Sequence, residues 1–172
     1  TCALPISKVL IGGAHVSATS ALALEEIKQA DYGFVGEGEI GLPMLAGRLL
    51  RDEQIPLENI PGLIWRENSS IRENARTGVE DLDSLGFQPW DLMPPASYPD
   101  NPQGGFYKRF PIAPISTTRG CPYLCTFCGS GVNMGHKLRF RSIDHVLDEM
   151  VMLRNDYGVG EFHIIDDMFN FY

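Results

Sequence analysis

Short apolar runs alternating with glycine-rich turns and amphipathic stretches fill the first sixty residues. Lys8-Val9-Leu10-Ile11 is apolar, β-branched and closed by Gly12-Gly13, which predicts a buried strand running into a tight turn. Ser20 or Thr19 is placed to cap a helix over residues 21–30, with Leu22 or Ala23, Leu24 and Ile27 inward and Glu25, Glu26 and Lys28 outward. Tyr32-Gly33-Phe34-Val35 predicts the next strand and Gly36-Glu37-Gly38-Glu39 a loop. Leu42, Leu45 and Leu49 then mark a helix that tolerates Pro43 in its first turn. Strand, glycine turn, helix, repeated once, predicts a parallel α/β unit whose two turns open at one sheet edge, where open sheets bind ligands. Taken alone, two glycine turns are ordinary loop chemistry before they are a ligand site.

Further on, Leu63-Ile64-Trp65 and Ile71-Arg72-Glu73, separated by Asn68-Ser69-Ser70, predict a short hairpin. Pro89, Pro94, Pro95, Pro99 and Pro102 then make the chain a traversing connector, because proline removes a backbone donor and blocks helix continuation. Phe87, Trp90 and Tyr98 are expected to pack that connector down. Residues 112–118 read as a strand. Ser142 is the predicted cap of a helix whose apolar positions Ile143, Val146, Leu147, Met150 and Val151 follow helical spacing, with Gly158 ending it. Glu161-Phe162-His163-Ile164-Ile165 is the second strand of this β-α-β unit, and it leads into Asp166-Asp167. Parallel pairing opens that end on the same rim as the end of the first strand. Adjacent carboxylates on an extended chain point to opposite sides, so at most one of the two faces a site there.

Composition bounds the reading. The chain has 172 residues with 44% hydrophobic, enough for one ordinary domain or two small ones. No apolar run approaches the roughly 20 residues of a membrane helix, and no secretory leader opens the chain, so the expected location is the cytoplasm. Net charge is −8, from 22 acidic and 14 basic residues, with no basic stripe beyond Lys108-Arg109, which disfavours nucleic acid as a partner. The start at Thr1 and the stop after a strand read as a piece of a longer protein, so these exclusions apply to these residues alone. As an isolated piece the chain is expected to expose an unpaired sheet edge and not to reach an active state. Cooperative unfolding with a sharp near-ultraviolet circular dichroism spectrum would overturn that expectation.

The densest chemistry is Thr117-Thr118-Arg119-Gly120-Cys121-Pro122-Tyr123-Leu124-Cys125-Thr126-Phe127-Cys128, which carries three of the four cysteines within eight residues. Three thiolates on one short loop can converge on one soft metal centre, and Gly120 and Pro122 suit an irregular backbone. A structural zinc site wants four protein ligands, whereas a four-iron cluster held by three leaves one iron open. His136, with Gly131, Asn133 and Gly135 before it, could complete a Cys3His zinc site. A disulfide is the weaker reading for closely spaced cysteines in a chain expected inside the cell.

Cys121, Cys125 and Cys128, with aromatic Phe127 before the last, resemble the signature of radical S-adenosylmethionine (SAM) enzymes. That resemblance implies that the three cysteines hold a [4Fe–4S] cluster, that SAM chelates the fourth iron and is cleaved to a 5′-deoxyadenosyl radical, and that the backbone at Phe127 lies along the adenine of SAM. Gly12-Gly13-Ala14-His15-Val16-Ser17 and Asp31-Tyr32-Gly33-Phe34-Val35-Gly36-Glu37-Gly38-Glu39 are similar to segments of cobalamin-binding domains fused before a radical SAM core. The likeness places Gly12, Gly13, His15, Ser17, Gly36 and Glu37 near the cobalamin nucleotide tail. His15 is not assigned as the lower axial ligand, because the Asp-x-His-x-x-Gly segment that supplies one is not in this chain. The run from Leu82 to Leu92 resembles the approach to the radical SAM core, and Arg139 and Arg141 around Phe140 resemble a basic segment of the same branch. Asp166-Asp167-Met168-Phe169 is similar to its D-D-x-F, which implies SAM contacts by Asp166 and Asp167.

The implied fold is α/β: the C-terminal part of a Rossmann-like cobalamin-binding domain over residues 1–60, a hairpin and proline-rich linker over 61–108, and the first β-α-β unit of a partial (β/α) radical SAM barrel over 109–172. The implied activity is C–H activation by a cobalamin-dependent radical SAM enzyme, with methyl transfer to carbon the commonest outcome. A small-molecule substrate and an electron donor such as flavodoxin or ferredoxin are the implied partners, and no catalytic residue is assigned. Two other readings stay open: a radical SAM enzyme without cobalamin chemistry, performing rearrangement or cyclisation, and a zinc-stabilised binding module built on Cys121, Cys125, Cys128 and His136.

Overall fold

A computed structural model describes residues 7–99 and 106–171. Pro102 of the predicted connector lies outside the described residues. The chain divides into two compact units, one of residues up to Val79 with Gly120–His136, the other of Glu80–Arg119 with the residues from Lys137 onward.

The first unit is built on a sheet of order β1-β2-β3-β4, with β1 at Leu10–Ile11, β2 at Tyr32–Phe34, β3 at Leu63–Glu67 and β4 at Ser70–Glu73. β1 and β2 are parallel, pairing Leu10 with Tyr32 and Ile11 with Gly33, so the glycine turn after each opens at the same edge. The predicted hairpin forms with Asn68 at φ 54°, and it extends the sheet: β3 runs antiparallel to β2, pairing Gly33 with Ile64. Period-two alternation then divides β3 between two cores. Ile64 joins Val16, Ala23, Leu24, Ala30 and Val35 on one face, while Leu63 and Trp65 join Phe34, Leu45 and Ile60 on the other. A strand covered on both sides reads as a continuous apolar run, which is what Leu63-Ile64-Trp65 is.

Helices flank that sheet with two departures from the sequence pattern. The helix predicted over 21–30 is the shorter α2 at Ala21–Glu26, and an unpredicted short helix, α1 at Ala14–Thr19, precedes it, the two separated where Ser20 takes φ 50°. Ser20 therefore stands at a bend and its side chain caps nothing. Ala23 and Leu24 are buried as expected, whereas Leu22 faces out. The helix α3, Gly41–Leu50, buries Gly41 and Leu45, and its Leu42 and Leu49 are exposed. Close approach, more than the leucine stripe, sets that face: a Cβ on Gly41 would lie 2.4 Å from the Pro61 carbonyl oxygen.

Two polar anchors complete the unit. Asp31 accepts the backbone N–H of Val9 at 2.9 Å and pairs with Lys8 at 3.0 Å, tying the start of β1 to the start of β2. The Val9 N–H, helped by Lys8 and opposed by desolvation, holds the Asp31 carboxyl below its ordinary value. Arg66 donates to the carbonyls of Leu24 and Ile27, acceptors that the end of α2 leaves open.

In the second unit, β5 at Ile112–Ile115 pairs in parallel with β8 at Glu161–Ile164, and α5 at Ile143–Asp156 crosses between them. This is the expected β-α-β unit; the described residues form no closed barrel. Ser142 caps α5 by accepting the His145 N–H at 3.1 Å, and Gly158 sits at φ 66° just beyond its end. The core gathers Trp90, Ala113, Ile115, Leu153 and Val159, with Val146 and Met150 against it. Ile143, Leu147 and Val151 of the same helix are exposed. Glu149 occupies the buried face instead, 1% exposed, 2.7 Å from Arg141 and accepting Trp90 Nε1–H at 2.8 Å. A second pair of short strands, β6 at Thr118–Arg119 and β7 at Arg139–Phe140, runs antiparallel.

Candidate metal and cofactor site

The cysteine segment leaves the second unit at Gly120, which takes φ 92°, and folds as a loop on the first. Its neck is closed at Cys121. The Cys121 N–H donates to the Gly135 carbonyl at 3.2 Å, and its own carbonyl lies 3.1 Å from His136 Nδ1. Cys121 is buried, while Cys125 and Cys128 are exposed on the arc between, joined by a turn in which the Cys128 N–H donates to the Cys125 carbonyl at 3.2 Å. Phe127 stands out at 91% exposed. None of these three cysteines is in a disulfide. Cys128 Sγ lies 3.3 Å from Ser130 Oγ, where the short helix α4, Ser130–Met134, begins.

The donor set fits a soft metal centre. Three thiols on one loop, one held at the neck and two on an exposed arc, supply sulfur ligands with no carboxylate among them. Among the described residues no three His, Cys, Asp or Glu side chains are already gathered into a metal-binding group. The His136 ring is engaged by the loop itself: Nδ1 faces the Cys121 carbonyl, and a Cβ on Gly131 would meet the ring at 2.1 Å.

The two glycine turns meet this loop within the same unit. Gly13 at φ 90° and Gly36 at φ 78° have the left-handed backbone that glycine favours, and the Gly36 N–H donates to Ser17 Oγ at 3.0 Å, so the second turn is tied to α1, which follows the first. An open cavity of about 720 Å³ lies beside that junction, lined by Ser17, Ser20, Val35, Arg76, Gly131 and His136 among others. Ser20 Oγ is a buried wall atom with no hydrogen-bond partner, and so is available to a bound group. Arg76 donates to the Val132 and Gly131 carbonyls of α4. Of the residues expected at the nucleotide tail, Ser17 lines the cavity and Gly36 is bonded to it. His15 points instead to Glu26, at 3.4 Å with both side chains well exposed, and Glu37 accepts the Val79 N–H at 3.3 Å.

Asp166, expected at SAM, is bonded to the segment that precedes the cysteine loop. Its carboxylate accepts the N–H of Thr117 at 2.7 Å and of Thr118 at 3.1 Å, and also takes the Thr117 hydroxyl. Ser20, Arg76, Glu149 and the anchoring use of Asp166 are polar roles that the pattern of residues did not single out. An Asp directly after a strand that pairs with the strand before the cysteines was the available signal for the last.

No family model matches the chain. An uncharacterised methyltransferase of Pyrococcus horikoshii is 32% identical over 94% of this chain and 33% of its own length. Cytidylyl-2-hydroxyethylphosphonate methyltransferase of Streptomyces wedmorensis is 31% identical over 95% of this chain and 34% of its own. Among solved structures, the radical SAM methyltransferase TsrM of Kitasatospora setae, with cobalamin and a [4Fe–4S] cluster bound, superposes with a TM-score of 0.65 at 23% identity, over 95% of this chain and 31% of that one. The chain is thus similar in sequence to part of these methyltransferases and shares the fold of part of TsrM. It spans about a third of the length of the curated relatives it matches. Its α/β architecture corresponds to part of those enzymes. No described helix is long and apolar enough to cross a membrane.

Proposed function

We propose that the protein is a cobalamin-dependent radical SAM enzyme acting on a small molecule, with methyl transfer to carbon as its reaction. The observation that carries the reading is the sharing of one compact unit by the cysteine loop and the two glycine turns, around a cavity with an unpartnered serine hydroxyl in its wall. The methyltransferase relatives and the TsrM fold likeness support it.

In this reading Cys121, Cys125 and Cys128 hold a [4Fe–4S] cluster, and the Phe127 backbone and Asp167 lie toward SAM. Gly12, Gly13, His15, Ser17, Gly36 and Glu37 border cobalamin. When bound, the cluster and SAM supply a 5′-deoxyadenosyl radical for hydrogen abstraction, and cobalamin supplies the methyl chemistry. The chain's own part is to present the thiolates. The buried Cys121 fixes one ligand at the loop neck, and the exposed arc lets Cys125 and Cys128 close on the same centre. An external reductant such as flavodoxin or ferredoxin would deliver the electron.

The test is anaerobic reconstitution of the full-length protein with iron and sulfide beside a Cys121→Ala/Cys125→Ala/Cys128→Ala variant. Electron paramagnetic resonance is recorded after reduction, with and without SAM. A reduced-cluster signal that SAM alters, absent in the variant, is expected, followed by cobalamin uptake seen as visible absorption. Stoichiometric zinc without a cluster signal in folded protein would overturn the reading in favour of a Cys3His module. A SAM-responsive cluster with no cobalamin uptake would leave a radical SAM enzyme of the rearrangement or cyclisation kind.

A further inference from the structure

We infer that Asp166 is a positioning residue that fixes the take-off of the cysteine loop, and that it does not contact SAM; the inference rests on the proposed cluster at Cys121, Cys125 and Cys128. Two oxygens of Asp166 receive three donors, all from two residues just beyond β5, the second of which begins β6: the Thr117 N–H at 2.7 Å, the Thr118 N–H at 3.1 Å and the Thr117 hydroxyl. Those residues stand four and three positions before Cys121.

The complementary backbone groups of the same segment are held from the other side. Arg141 Nη1 donates to the Ser116 carbonyl at 3.0 Å, and the Arg141 N–H donates to the Thr117 carbonyl at 2.9 Å. The Thr118 carbonyl accepts the Ser116 hydroxyl at 3.0 Å. From the Ser116 carbonyl to the Thr118 carbonyl every backbone donor and acceptor is therefore bonded, although the segment lies between β5 and the short β6 pairing and leaves the parallel ladder. Arg141 is itself fixed by Glu149, 2.7 Å away.

The chemistry explains why an aspartate stands here. A carboxylate is an acceptor only, and a short side chain just past the end of β8 reaches two successive N–H groups on the neighbouring strand's exit, donors that no ladder partner takes. With three donors from Thr117 and Thr118 on its two oxygens, Asp166 is oriented toward the strand exit and has about one acceptor site left for any other group. Asp167, next in sequence, has no such commitment among the hydrogen bonds that define this anchor, and it remains the carboxylate of the pair proposed to lie toward SAM. Because the backbone is continuous from Thr118 through Arg119 and Gly120, the anchor fixes the point from which the chain departs toward the first cluster ligand.

The decisive comparison uses the full-length protein as wild type and as Asp166→Ala, Asp166→Asn and Asp167→Ala. Asparagine keeps an acceptor oxygen for both N–H groups and lets its amide donate to the Thr117 hydroxyl, so it is the rescue variant and guards against a misfolded alanine variant. Hydrogen exchange of the peptide spanning Thr117 and Thr118 is measured before reconstitution, and the reduced-cluster resonance is measured afterwards without and with SAM. Asp166→Ala should speed exchange at these two amides by about tenfold or more. It should also lower cluster content several-fold and broaden the resonance recorded without SAM, with Asp166→Asn recovering most of both and Asp167→Ala changing neither.

Two results would overturn the inference. An Asp166→Ala protein with wild-type exchange and a wild-type cluster signal, which loses only the response to SAM, would make Asp166 a SAM ligand. Faster exchange with an unaltered cluster would make the anchor structural and nothing more. Wild-type protein that takes up no cluster at all would instead sink the enzyme reading itself, a failure visible before any Asp166 variant is compared.

Discussion

The glycine turns and the cysteines are carried by a unit whose sheet is apolar on both faces, whereas the β-α-β unit keeps part of its apolar surface uncovered and buries an ion pair. In the first, β3 divides Leu63 and Trp65 from Ile64, and helices close both sides of the sheet. In the second, β5 and β8 make a two-stranded sheet, Ile143, Leu147 and Val151 of α5 are exposed, and Glu149 with Arg141 sits where a further leucine pair would serve a simple core. The difference teaches that stability in the two units has different chemistry. The first rests on apolar burial and close glycine approach; the second depends on a polar network that also positions the strand exit.

The largest effect expected from breaking this contrast is at Glu149. Replacement by alanine strands Arg141, 11% exposed at its side chain, and leaves Trp90 Nε1–H without its acceptor, so a loss of about 3–5 kcal/mol in denaturant unfolding of the full-length protein is expected. A loss below about 1 kcal/mol would mean that water replaces the pair and that the polar-core description is wrong. Next comes Gly41→Ala in the apolar unit. Its Cβ would lie 2.4 Å from a backbone oxygen and 2.5 Å from the Phe34 ring, so α3 must shift, at about 1–3 kcal/mol. Unchanged stability there would show that α3 floats on the sheet.

A smaller effect is expected at Asp31. Asp31→Ala removes one acceptor from the Val9 N–H and should cost about 1 kcal/mol at neutral pH. The sign of its pH dependence is fixed by the lowered folded pKa. The ionised carboxylate stabilises the fold fully above the ordinary value of 3.8, and that contribution disappears as pH falls through the lower folded value. Unfolding curves of wild type and variant should therefore converge only once pH has fallen below that lowered folded value, and a gap that persists there would assign the effect to packing. Hydrogen exchange on the 172-residue chain by itself sharpens the comparison most gently, with β2 and β3 expected to exchange more slowly than β5 and β8.

The hairpin, the Ser142 cap and the β-α-β unit were legible from period and capping residues, because these depend on neighbours within a few positions, whereas α1, α4 and the β6–β7 pair, which cuts the strand expected over 112–118 short at Ile115, were not. The break at Ser20 was not either, since one residue at φ 50° leaves no trace in an apolar period. Nor was the inner face of α3, where missing side chains at Gly41 make the contact and the leucines look outward. The five-residue stripe of α5 divided in the same way, Val146 and Met150 inward and Ile143, Leu147 and Val151 exposed.

By itself the sequence determined the α/β class, the spacing of three thiols on one loop and the two glycine turns, each a local property of residue type and interval. Tertiary structure alone decided which polar side chains meet. Asp31 reaches a strand 22 residues away, Asp166 reaches residues 48 and 49 positions back, and Glu149 reaches Trp90 across 59. Pairings at such separations follow from parallel strand register and helix rotation, which are set by burial over whole elements and are not written in any short stretch of the chain.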